Sequence, residues 1–112
     1  MNFQHQKLAS GYWEKLNFFS QMANIGSEVE RTMSWAKKGN NLFSQNAFKR
    51  SLELLDLTIA APKNKTKLKE LTRLRESLVD YFYGDNQFSS SDELWHKYFT
   101  VFNYAARIKI GL

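Results

Sequence analysis

The chain has 112 residues, 43% of them hydrophobic and 24% charged, with a formal net charge of +5. That is the length of one domain with one real core, and it excludes disordered and fibrous classes. The absence of Cys excludes a disulfide scaffold, thiolate zinc and iron–sulfur sites, and Cys-nucleophile catalysis.

The N-terminal stretch Met1 to Leu8 has no basic start followed by an apolar run, so it does not read as a secretory signal. Residues 1–10 read as a leader that can be flexible. No apolar run approaches the roughly 18 residues of a membrane span. No membrane partner is expected, and a cytoplasmic setting is the default. The glycines Gly11, Gly26, Gly39, Gly84 and Gly111 are scattered, so no phosphate loop or dinucleotide fingerprint can be built.

Leu occurs 13 times against 7 for Val plus Ile, a balance that favours helix. Gly39-Asn40-Asn41, Ala61-Pro62-Lys63-Asn64 and Gly84-Asp85-Asn86 punctuate the chain into four segments. In the first, Phe18, Met22, Ile25, Gly26, Val29, Met33 and Ala36 share one helical face. Trp13 and Leu16 are out of phase with it, which predicts a break or a change of direction near Asn17. Ala23, Gly26 and Ser27 would let a neighbour approach closely.

The second segment buries Phe43, Ala47, Phe48, Leu52, Leu54, Leu55, Thr58 and Ile59, with Lys49 and Glu53 spaced as an i,i+4 pair. The third turns Leu68, Leu71, Leu74, Leu78 and Phe82 inward. The fourth is expected to open on a Ser90–Glu93 capping box and to bury Leu94, Trp95, Tyr98, Phe99, Val101, Phe102, Ala105 and Ile108. Short connections make consecutive helices antiparallel neighbours. The expectation is one all-α domain over residues 1–112, an up-and-down antiparallel four-helix bundle.

Three clusters are candidates for function. Lys63, Lys65, Lys67, Lys69, Arg73 and Arg75 stand against one acid, Glu70, so residues 63–75 carry a surplus equal to the net charge of the whole chain. Gathered at the start of the third helix, they would form a site for phosphate or an acidic partner, or else a solvated loop. Asn24, Glu28, Arg31 and Trp35 follow i, i+4, i+7, i+11 spacing opposite the main apolar face of the first segment. An exposed Trp beside an Arg–Glu pair is what interfaces favour, the bland alternative being a Trp that covers the bundle end. His96, Thr100, Asn103 and Arg107 form a polar stripe on the fourth helix, in which His96 would be an acid or base and Arg107 a phosphate holder. Against this stands a plain solvated face. Glu93 and His96 match the Glu-x-x-His spacing of di-iron bundles, but the second such motif and the two further glutamates are missing, so no metal is expected. Asp85-Asn86-Gln87 lacks the Gly and terminal Glu of a calcium loop.

The stretches Ala23-Asn24-Ile25-Gly26-Ser27-Glu28-Val29-Glu30-Arg31 and Arg50-Ser51-Leu52-Glu53-Leu54-Leu55-Asp56-Leu57-Thr58 resemble small prokaryotic helical proteins similar in layout to HEPN domains, the partners of minimal nucleotidyltransferases. The resemblance lies in helix count, size and polar helix faces over most of the chain. It implies a small protein partner. Catalytic HEPN ribonucleases carry Arg, a polar residue and about three more before a His. Here Ser90 to Trp95 precede His96 without an Arg, His5 has none before it, and Arg107 follows His96. The ribonuclease activity is therefore not implied.

The sequence thus reads as a non-enzymatic helical-bundle interaction protein without a cofactor, a homo-oligomer or the partner of a small protein. Three Trp, five Tyr and nine Phe are hard to bury in one core of this size and favour an apolar surface. A nucleic-acid or phosphate-binding accessory module using residues 63–75 is the alternative. An enzyme built on Glu93, His96 and Arg107 is a distant third.

Overall fold

The computed structural model describes residues 6–111, with side chains described over 11–108. The first half of the expected leader, residues 1–5, lies outside the described residues, and helix begins at Gln6. The elements are α1 (Gln6–Lys15), α2 (Phe18–Lys37), α3 (Asn41–Ala60), a 3₁₀ helix (Pro62–Lys67), α4 (Leu68–Phe82) and α5 (Asp92–Gly111). Among the described residues the chain is all helix and turn, without strand. The expected four helices become five because the direction change near Asn17 is a full break.

Each break has a local cause. Asn17 is extended, and its side chain accepts the Ser20 N–H at 2.8 Å, which caps α2. At the other end of α2, Gly39 takes φ +78°. Its N–H bonds the Ala36 carbonyl and the Asn40 N–H bonds the Trp35 carbonyl, the Schellman pattern that Gly permits. Asn40 then caps α3 by accepting the Phe43 N–H at 2.9 Å. Pro62 stops α3, since it lacks the N–H that a further turn needs, and it starts the 3₁₀ helix instead.

Contacts fix the directions. Glu28 meets Arg50 while Thr32 accepts from Ser44, so α2 and α3 are antiparallel. Glu30 meets His96, Gly26 meets Phe99 and Phe18 meets Phe102, so α2 and α5 are antiparallel too. Asp56 meets Arg75 and Phe48 meets Phe82, which sets α4 against α3 in the same sense. The core gathers Trp13, Met22, Ile25, Val29, Met33, Phe48, Leu52, Leu55, Leu71, Leu74, Leu78, Trp95 and Phe99.

Gly26 is where α5 comes closest. A Cβ added there would lie 2.7 Å from the Phe99 Cβ, well inside ordinary carbon contact. The small-residue stretch anticipated from sequence therefore receives a partner, and that partner is α5.

One end of the molecule is held by buried polar groups. Trp13 Nε1 donates to Thr58 Oγ1 at 2.8 Å, Thr58 Oγ1 to the Leu54 carbonyl at 2.8 Å, and Gln21 Nε2 to the Trp13 carbonyl at 2.9 Å. Asn64 Nδ2 donates to Gln21 Oε1 at 2.9 Å and to the Thr58 carbonyl at 3.0 Å. The set joins α1, α2, α3 and the 3₁₀ helix, and its members satisfy one another. Such groups cost about 1–3 kcal/mol each when a partner is lost, so this end is specified by chemistry as well as by packing.

Several expectations are corrected. Ala36, Phe43, Leu68, Leu94, Val101 and Ile108 face solvent. The Lys49–Glu53 pair does not form among the described residues. The capping box is also displaced: Asn86 and Ser89, at φ +54° and +56°, fold the connection so that Asn86 bonds Ser90 N–H and carbonyl at 2.8 and 3.0 Å. Ser91 is left to cap α5, its Oγ accepting the Leu94 N–H at 3.1 Å, and Glu93 turns to Lys97 at 3.4 Å.

Candidate functional site

The structure brings the polar stripe of α5 and one member of the α2 cluster, Asn24, to the seam between α2 and α5. A cleft of about 150 Å³ is lined there by Ala23, Gly26, Ser27 and Glu30 of α2 and by His96, Phe99, Thr100 and Asn103 of α5. A second hollow extends it past Asp92, Glu93 and Lys37, and a third past Asn24, Ser20 and Arg107. His96, Asn103, Arg107 and Asn24 therefore share one surface groove.

In the groove His96 Nδ1 lies 2.9 Å from Glu30 Oε2, both side chains about half exposed or more. Sequence reasoning passed over Glu30, because its partner is 66 residues away. The pair can share a proton, but solvent reaches it freely. Thr100 Oγ1, the α5 hydroxyl that lines the cleft, is occupied in donating to the His96 carbonyl at 2.6 Å. The described residues place no nucleophile on this base and no third group behind it, as acyl or phosphoryl chemistry would need. No group of three or more His, Cys, Asp or Glu that could hold a metal occurs among the described residues.

Glu28 is not part of an exposed stripe. It is only 5% exposed, and its carboxylate is held by Arg31, one turn further along α2, and by Arg50 from α3. The two exposed guanidinium groups carry their own charges in water and neutralise the buried one. Glu28 thus ties α2 to α3 through Arg50, Arg31 pairs with it inside α2, and Asn24 Nδ2 donates to the Ser20 carbonyl at 2.8 Å. Trp35 is half-buried at the α2–α3 turn, its ring edge-on to Phe43 at 4.9 Å and under Lys38 Nζ at 5.0 Å.

The basic segment is split by its contacts. Lys63 Nζ donates to the carbonyls of Glu14 and Leu16, closing the C-terminal end of α1 where a cation is favoured. Lys67 Nζ sits 4.8 Å above the Phe18 ring, and Arg75 pairs with Asp56 at 2.8 Å. Lys63, Lys65 and Lys67 lie in the 3₁₀ helix rather than at the start of α4. Of the six cations, Lys65, Lys69 and Arg73 have no side-chain hydrogen bond, ion pair or cation–π partner among the described residues.

The largest surprise is α5. Its inner stripe is Trp95, Phe99, Phe102 and Ala106. A second apolar stripe points to solvent, with Leu94 54%, Val101 65%, Tyr104 66% and Ile108 42% exposed. The spacing of the outer stripe, 7, 3 and 4 residues, matches a, a, d and a positions of a heptad, with Lys97 at the intervening d position. Sequence reading merged both stripes into one inward face.

Comparison with protein-family models, with curated proteins and with solved structures yields no match. Among the described residues no helix is long and apolar enough to cross a membrane.

Proposed function

We propose that this chain is a non-enzymatic helical interaction module, an up-and-down antiparallel four-helix bundle of α2 to α5 that self-associates through the outward face of α5. The observation that carries the reading is the outer stripe Leu94, Val101, Tyr104 and Ile108 on a helix whose opposite face is already spent on α2. Four large apolar side chains aligned on one helix favour a helical partner, because knobs-into-holes packing removes their area from water at about 25 cal/mol per Å². Single exposed apolar residues are ordinary; an ordered row of them is not. A small protein partner, the role that the HEPN-like layout implies, would use the same surface.

The phosphate-binding alternative has less support. Three unpaired cations give a salt slope of roughly −2.7 in log–log terms, a weak electrostatic footprint. The test of the main reading is mass. Light scattering at high micromolar concentration should give at least twice the chain mass, and Val101→Ser with Ile108→Ser should return it to one chain. A monomeric parent protein would end the proposal.

A further inference from the structure

Glu93 and Arg107 flank the outer stripe of α5 on the same side, both exposed. Arg107 has no hydrogen bond or ion pair among the described residues, and Glu93 has only its loose contact with Lys97 at 3.4 Å. The two lie 14 residues apart, about 21 Å along the helix axis at 1.5 Å per residue, so they cannot meet within one copy. Their midpoint is Thr100. The midpoint of Leu94 and Ile108 is the adjacent Val101. Apolar stripe and opposite charges are therefore centred on the same turn of α5.

Resting on the self-association reading above, we infer that the occupant of this face is a second copy of the chain, docked antiparallel about a two-fold axis near Val101. Glu93 of each copy then meets Arg107 of the other, twice per dimer, while Leu94 approaches the far end of the partner stripe near Ile108. A parallel pairing would instead set the two Glu93 at one level and the two Arg107 at another, on opposite edges of the seam, so that neither meets an opposite charge. A two-fold contact uses the same patch on both copies, so the patch must complement its own reversal. The stripe and its charges do so.

The chain contains no Cys, which makes single-cysteine variants clean reporters. Val101→Cys should cross-link to itself on oxidation, since a disulfide needs Cα atoms within about 7 Å. Leu94→Cys alone should not, because its two copies would stand about 21 Å apart, but mixed with Ile108→Cys it should. Glu93→Arg and Arg107→Glu should each weaken dimerisation about tenfold or more, and the double reversal should restore it to within about threefold. Self-cross-linking of Leu94→Cys would establish a parallel pair and overturn the inference. An oligomer by light scattering in which Val101→Cys stays unlinked and the charge reversals have no effect would place the contact elsewhere, sinking this geometry while self-association stands. A parent chain that is monomeric would sink both.

Discussion

Gly26→Ala isolates the close approach of α2 and α5. The new Cβ would stand 2.7 Å from Phe99 Cβ and 2.9 Å from its Cγ and Cδ1. Ordinary carbon contacts lie near 3.5–4.0 Å, so the helices must part by about 1 Å. Rotation of Phe99 offers no relief, because its Cβ is fixed to the backbone of α5. Overpacking of this kind costs about 1–3 kcal/mol. Against it, Ala is better than Gly inside a helix by about 0.5–1 kcal/mol. The net expectation is a loss of about 0.5–2 kcal/mol in urea unfolding. Gly11→Ala supplies the control: it is the same change inside α1, where an added Cβ meets nothing within 4 Å, and it should stabilise. If Gly26→Ala stabilised as much as Gly11→Ala, the helices would not be packed at this distance, and the groove lined by Glu30, His96 and Asn103 would not have the walls described above.

Three further outcomes are expected. Ser91→Ala should lose about 0.5–2 kcal/mol in a urea titration while Ser90→Ala loses little, since only the Ser91 hydroxyl caps α5. Burial, and then the nearby Glu70 charge, pushes the Tyr98 phenol up to about 12. Its contribution is complete below the ordinary tyrosine value of about 10 and is lost as pH rises toward 12, because the unfolded chain ionises first. Urea midpoints of Tyr98→Phe should therefore fall less steeply than those of the parent over that window, and parallel curves would contradict the assignment. Lys63→Met should cost about 0.5–1 kcal/mol by removing the cation from the end of α1, whereas Lys65→Gln with Lys69→Gln should leave the thermal midpoint nearly unchanged. Equal effects would mean that Lys63 is as free as its neighbours.

What the sequence determined by itself is the local part of this fold. Asn17, Gly39, Asn40 and Pro62 set helix ends through hydrogen bonds and backbone sterics that act within one turn of chain, and each acts where it was expected to. The apolar faces of α2 and α4 were legible for a similar reason: one narrow stripe leaves one way to face inward, although Ala36 and Leu68 at their ends do not comply. α5 was not legible. Apolar residues cover more than half of its circumference, so periodicity alone cannot choose which arc meets α2, and only the contact of Phe99 with Gly26 decided it. Tertiary structure likewise decided the fate of the polar residues. Glu28 is buried because Arg50 arrives from 22 positions away, Asn64 because Gln21 does from 43, and Lys63 closes a helix 49 residues upstream of it. A charge or amide costs too much to bury alone, so its burial depends on a partner that sequence spacing does not reveal.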